Sequence, residues 1–358
     1  MRTAGFDRRR GRCGSTVSTC LVVVAVLGAA VITACAPAGE ARRDPVSVSA
    51  SVPSPVPASF AGLSLFGAAG NPWTRTVARD APVDPDSRRY VDRMAGSYLV
   101  ASVRGWTVPV YSADEATPRF DVAATASWAK SGAGVARVPI PERARPDPLD
   151  DGHMAVVDPG AGCVYEFWRA RRSGQGWVAD WVNALPTNSD GVYPDGGGTR
   201  AGGFSVVAGL IWPDEIARGY IGHALVFAYP YTRADVFVAP ATHTDGRTRA
   251  DDALPLGARL RLDPALDLDR LDLSQGARTI ARALQEFGMI LGDTSGGFTL
   301  YAAHPQAYGQ ADPYGGALGD GTWADLRQIP LARMQVMSLG SATSSVSSSG
   351  ANRCNNRR

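Results

Sequence analysis

The chain has 358 residues with 36 basic and 34 acidic side chains, a net charge of +2. Five arginines and one aspartate lie in residues 1–34, so removal of that segment leaves 31 basic against 33 acidic residues, a net of −2. A chain this close to neutral is not held to nucleic acid by phosphate contacts, and Lys130, its only lysine, leaves nothing for a Schiff base or a phosphate-binding P-loop.

The N-terminus carries Arg8, Arg9, Arg10 and Arg12, then the apolar run CLVVVAVLGAAVI over 20–32, then Thr33, Ala34 and Cys35. That order is the order of a secretory signal, and the run is shorter than the roughly 20 residues of a membrane span. Small residues before Cys35 resemble a bacterial lipobox, which implies cleavage at 34 and a lipid on the Cys35 sulfur. The expectation is a protein held outside the cell membrane by that anchor. Residues 35–60, rich in Pro, Ser and Ala without periodicity, read as an extended tether. Residues 339–358, mostly Ser, Gly, Asn and Arg, read as a disordered tail. The mature chain keeps Cys35, Cys163 and Cys354; with one acylated and one in a polar tail, no disulfide framework follows from the sequence.

Between 61 and 338 short β-rich runs alternate with Gly, Pro and Asp turns. They fall at 97–103, 107–112, 135–140, 153–158, 163–168, 176–182, 224–229, 235–239 and 297–303. Many short strands with frequent turns predict a mainly β chain, a single jelly-roll-like β-sandwich domain with two short helices packed on it. One helix covers 213–219, with Pro213 at its first turn, Asp214 and Glu215 behind it and Gly219 as its stop. The other covers 274–287, with Ser274 as N-cap, Ala277, Ile280, Leu284 and Phe287 on one face, and Gly288 beyond. The chain reads as a monomer.

HMAVVD, the turn PGAG and CVYEFW predict a hairpin. If Asp158 pairs with Cys163, His153 stands opposite Trp168 and Ala155 opposite Glu166, and His153, Glu166 and Trp168 share a face. A flat aromatic to stack on a sugar, a carboxyl to move a proton and an imidazole to orient or activate it make the grouping a polysaccharide site needs. Asp151, at the entry of the hairpin, is the second carboxyl candidate. The stretch 203–246 concentrates further candidates: His223 among apolar neighbours, Tyr231 as a stacking residue, Arg233, and His243 in a turn, where functional side chains collect. Arg200, Arg218 and Arg233 are the arginines that would neutralise an acidic sugar. Trp168, Trp177, Trp181, Trp212, Tyr193, Tyr220, Tyr229 and Tyr231 make the middle of the chain aromatic.

The segments DGHMAVVDPGAGCVYEFW, AGLIWPDEIARGYIGHAL and RTIARALQEFGMILGDTSGG resemble segments of secreted bacterial lipoproteins of unassigned function, over about 70–303. The resemblance implies one extracellular domain and no particular activity. The sequence reading is therefore a surface lipoprotein acting on an extracellular polysaccharide, by hydrolysis or β-elimination. His153, Glu166, His223 and Asp151 are its catalytic candidates, and Trp168, Tyr231, His243 and Arg233 its substrate contacts. Its alternatives are a non-catalytic glycan-binding or envelope-organising lipoprotein, and a metal-dependent hydrolase or oxidase with His153, His223 and His243 joined by Asp158 or Asp214 as ligands. No cofactor is expected, and the absence of HxH or HExxH spacing places metal behind the other readings.

Overall fold

The computed structural model describes residues 59–60, 63–131, 133–346 and 352–355. The signal, Cys35 and nearly all of the tether lie outside the described residues. The strands are β1 (Ser59–Phe60), β2 (Leu63–Ser64), β3 (Leu99–Ser102), β4 (Val110–Ser112), β5 (Arg119–Ala124), β6 (Gly134–Pro139), β7 (Met154–Asp158), β8 (Cys163–Trp168), β9 (Arg171–Ser173) and β10 (Gly176–Ala179). After them come β11 (Trp181–Pro186), β12 (Leu225–Tyr229), β13 (Thr232–Phe237), β14 (Leu254–Leu256), β15 (Arg259–Leu262), β16 (Met289–Thr294), β17 (Phe298–Tyr301), β18 (Trp323–Asp325) and β19 (Met334–Val336). Three helices join them: α1 (Ser87–Arg93), α2 (Pro213–Arg218) and α3 (Gln275–Glu286). The chain is mainly β, as its alternating runs predict.

Three sheets carry the fold. A mixed seven-stranded sheet runs β18-β3-β17-β12-β16-β15-β19, a four-stranded sheet runs β11-β8-β7-β4, and a second four-stranded sheet runs β6-β5-β10-β9. The middle sheet is covered on both faces, which a two-layer sandwich does not do. Ala155, Val157 and Val164 join the core of the seven-stranded sheet, while Met154, Val156, Cys163, Tyr165 and Phe167 join a separate core with Val122, Val138 and Trp177 of the outer sheet. Strict alternation along β7 and β8 thus serves two apolar cores, which explains why both strands read as nearly continuous apolar runs.

The hairpin forms in the predicted register, with Asp158 opposite Cys163 and Ala155 opposite Glu166. Its turn is closed by the Ala161 amide donating to Asp158 Oδ1 at 3.0 Å. Ser274 caps α3, its hydroxyl accepting from the Ala277 amide at 3.2 Å, and Ala277, Ile280 and Leu284 are buried. Gly219 ends α2 with φ +72°, the left-handed conformation that glycine adopts without strain. The run 176–182 splits into two strands in different sheets, β10 and β11, because Asp180 turns the chain between them and accepts from Arg169 and Arg171.

The cysteine reading needs correction. Cys163 and Cys354 form a disulfide across 191 residues of sequence. The tail is joined to the domain at two described points: Thr343 bridges Phe237, and Cys354 is buried against Cys163 and β11, where Asn352 donates to the Ala184 carbonyl at 2.6 Å. Composition alone hides this, since a serine-rich stretch carries no apolar signal and the link is covalent. Among the described residues no helix is long and apolar enough to cross a membrane.

Candidate functional site: an aromatic cleft with an acid–base centre

A cleft of about 1360 Å³ lies between one face of β18-β3-β17 and the ends of β7, β8 and β11. Small-molecule pockets hold roughly 300–1,000 Å³, so this cleft is sized for something larger than one small metabolite. Its floor follows from sheet register. Tyr301 of β17 pairs with Ser102 of β3, which pairs with Trp323 of β18, so the three stand in one row, and Thr299 and Val100 form the next row on the same face. Ser102 and Thr299 hydroxyls are 3.1 Å apart.

Aromatic rings form the walls. The exposed aromatic side chains among the described residues are Tyr98, Trp106, Trp128 and Trp323, and all four line this cleft. Trp168 and Trp181 face each other across the β8–β11 ladder and line it as well. Trp128 stands 5.0 Å from Trp181, ring to ring, and Arg169 lies 4.7 Å over the Trp168 ring.

His153 and Asp151 reach the cleft because the hairpin continues past its strands. The Arg169 amide donates to the Asp151 carbonyl at 2.9 Å and the Ala170 amide to Gly152 at 3.0 Å. Gly152 adopts φ +45°, and a Cβ there would stand 3.0 Å from the Arg169 backbone. This close approach sets Asp151 beside Trp168, whose indole nitrogen donates to its carboxylate at 3.4 Å. His153 Nδ1 lies 3.1 Å from the Phe167 carbonyl oxygen. A carbonyl can only accept, so Nδ1 carries the proton and the neutral ring keeps its lone pair on Nε2. Burial pushes the His153 pKa below the ordinary histidine value, against the opposing pull of Asp151.

The opposite side of the centre is built by a bulge. Between β12 and β16, Phe227 pairs with Leu291 and Ala228 with Asp293, so Gly292 is the extra residue, and Asp293 is turned into the cleft. Asp293 accepts from Arg200 Nη1 at 3.1 Å and from the Ala201 amide at 2.9 Å. Its side chain is 20% exposed. Burial raises its pKa to about 6; Arg200 lowers it and the neighbouring Asp245 raises it further. Arg200 is itself buried, 4.0 Å over the Tyr301 ring, with Nη2 on the Val206 carbonyl. The glycine loop before Arg200 is fixed by Trp181 Nε1 and Asn183 Nδ2, both donating to the Gly197 carbonyl. A Cβ on Gly198 would meet the Gly203 backbone at 2.4 Å. The centre therefore presents a neutral imidazole and a carboxyl that is half protonated near pH 6, a base and an acid in one cleft.

Of the sequence candidates, His153, Asp151, Trp168 and His243 line the cleft. Four others stand elsewhere. Glu166 shares the expected face but lies beneath the surface, fully buried, with Ser205 Oγ on one carboxylate oxygen and the Tyr193 hydroxyl 3.1 Å from the other. His223 is buried beside α2, its Nε2 3.0 Å from Glu215 and its Nδ1 2.9 Å from the Ala224 carbonyl. Tyr231 donates to Asp252 at 2.9 Å under the Arg93 guanidinium. Arg233 is tied to Asp251 and the Ala250 carbonyl. Burial behind the sheet accounts for the first two, and surface ion pairing for the other two. The three histidines named as metal ligands are not gathered, and no group of three His, Cys, Asp or Glu among the described residues could hold a metal ion.

Sequence reasoning missed Asp293, Tyr301, Tyr98, Trp106, Trp128 and Trp323. The signal for Asp293 was present in MILGDTSGG: an aspartate after a glycine at the end of an apolar run marks a strand that bulges as it leaves the core. No protein-family model matches the chain, nor does any curated protein or solved structure.

Proposed function

We propose that this protein is a lipid-anchored cell-surface protein that binds an extracellular polysaccharide in the aromatic cleft and cleaves it by proton transfer involving His153 and Asp293. The observation that carries the reading is the gathering of every exposed aromatic ring of the described residues into one cleft. Large apolar surface left in water marks a binding site, and flat rings gathered in one cleft suit the apolar faces of sugar rings. Asp293 supplies a proton near pH 6, and His153 Nε2 accepts one. Trp168 and Trp181 are the central stacking rings.

Two further features support the extracytoplasmic placement. The Cys163–Cys354 disulfide is of a kind that persists in oxidising compartments, and the lipobox-like sequence ending at Cys35 supplies the anchor. The test is incubation of the full-length protein with insoluble and soluble polysaccharides, reading retention, new reducing ends and the ultraviolet absorbance of an unsaturated product. Retention with new reducing ends is the expected result. Retention without cleavage would make the cleft a glycan-binding module, and the absence of both would remove the glycan reading.

A further inference from the structure

Resting on the glycan reading, we infer that the polymer this cleft takes carries no carboxylate or sulfate groups, being neutral or amino-bearing, and that the bond is broken by hydrolysis. Asp151, Asp195, Asp245 and Asp293 line the cleft, and Arg247 is the one arginine or lysine that does so among the described residues. A polyuronate brings a carboxylate on every sugar and needs guanidinium or ammonium groups to meet them.

The arginines that could have served are committed elsewhere, Arg169 over the Trp168 ring being paired with Asp180. Arg200 is 1% exposed, with its two terminal nitrogens on Asp293 and the Val206 carbonyl and its face on Tyr301. Arg218 is paired with Asp214, and Arg233 with Asp251. With Asp293 offset by Arg200, the remaining lining carboxylates still outnumber Arg247, so an acidic polymer would meet like charge along this cleft, whereas a sugar hydroxyl or ammonium finds carboxylate acceptors.

The charge balance also selects the reaction. Elimination depends on a carboxyl at C5 to acidify the proton removed there, and a neutral or amino sugar has none. What remains is addition of water. His153 Nε2 takes a proton from water as its oxygen bonds to the anomeric carbon, the bond from that carbon to the bridging oxygen breaks, and Asp293 delivers its proton to the departing oxygen. The products are two sugar chain ends, and solvent returns the proton from His153 to Asp293.

The tryptophans of the cleft give the readout. Intrinsic fluorescence of the full-length protein is titrated with three hexasaccharides: a neutral β-1,4-glucan, a β-1,4-glucosamine oligomer and an α-1,4-galacturonate oligomer, at roughly 0.15 M salt. The neutral or glucosamine hexamer is expected to bind at least about tenfold more tightly than the galacturonate. D245N is expected to weaken the glucosamine hexamer several-fold more than the neutral one, because it removes a charge as well as an acceptor. Tighter binding of the galacturonate would overturn the inference and leave the glycan cleft standing. No response to any of the three would overturn both.

Discussion

Arg200 and Asp293 meet at 3.1 Å where the Gly292 bulge turns β16 toward the cleft. The pairing sets the protonation of Asp293 between two opposing influences: burial lifts its pKa to about 6, and the guanidinium restrains it from rising further. The same arginine lies over the Tyr301 ring and lowers the pKa of His153. One buried cation thus tunes both members of the acid–base centre.

Cleavage should follow a bell-shaped pH profile. The acid limb reports deprotonation of His153, below the ordinary histidine range, and the basic limb reports loss of the Asp293 proton at about pH 6. R200M removes the restraint on Asp293, so the basic limb moves to higher pH. A pH–rate series on the wild type and R200M checks it, and an unmoved limb would separate Asp293 from the reaction.

W168A and W181A should each weaken binding of an oligosaccharide about tenfold while leaving the unfolding temperature within a few degrees, because both rings stand partly exposed at strand ends. W177A is the control. Trp177 is buried in the outer core, and its loss should cost roughly 3–5 kcal/mol of stability without changing the affinity of the protein that remains folded.

Glu166 should control stability rather than turnover. Burial raises its pKa to about 7 against the hydrogen bonds it accepts. Because this value lies above that of the unfolded chain, its contribution is fully present below the ordinary glutamate range and is lost as pH rises toward 7. The loss amounts to roughly 3 kcal/mol. E166Q should flatten that fall, as read by urea unfolding between acid and neutral pH.

His223 carries the opposite charge chemistry. Burial pulls its pKa down, but the Glu215 carboxylate outweighs it and holds the value above the ordinary one. Its stabilisation is present below the unfolded histidine value and fades as pH rises through the folded one. H223A strands Glu215 in the core and should cost roughly 3–5 kcal/mol. Denaturant unfolding checks that loss, and oligosaccharide affinity should stay unchanged, since His223 lies outside the cleft.

C354S should lower stability by about 2–5 kcal/mol, since the bond closes a very long loop. Thermal unfolding with and without reductant, compared between wild type and variant, measures it. Reductant should shift only the wild type.

Local rules carried much of this structure. The hairpin register followed from period-two alternation and a Pro-Gly turn, α3 from its serine cap and apolar stripe, and α2 from Pro213 and Gly219, each a signal contained within a dozen residues. Half of the candidate site was legible for the same reason: Asp151, His153 and Trp168 lie on one hairpin. The other half was not, because Asp293, Tyr301 and Trp323 reach the cleft only through sheet order, where β18, β3 and β17 become neighbours from distant parts of the chain. Depth was also invisible. Glu166 and Trp168 share a face, yet one is sealed beneath Ser205 and the other opens to the cleft.

The most direct test of the acid–base cleft compares the release of reducing ends from a neutral polysaccharide by the full-length wild type, H153A and D293N near pH 6. Wild-type cleavage that falls by about 10²–10⁴-fold in both variants, with oligosaccharide affinity retained, is the predicted result. Cleavage at the wild-type rate in either variant would contradict the assignment of that residue, and in both would place the chemistry outside this cleft.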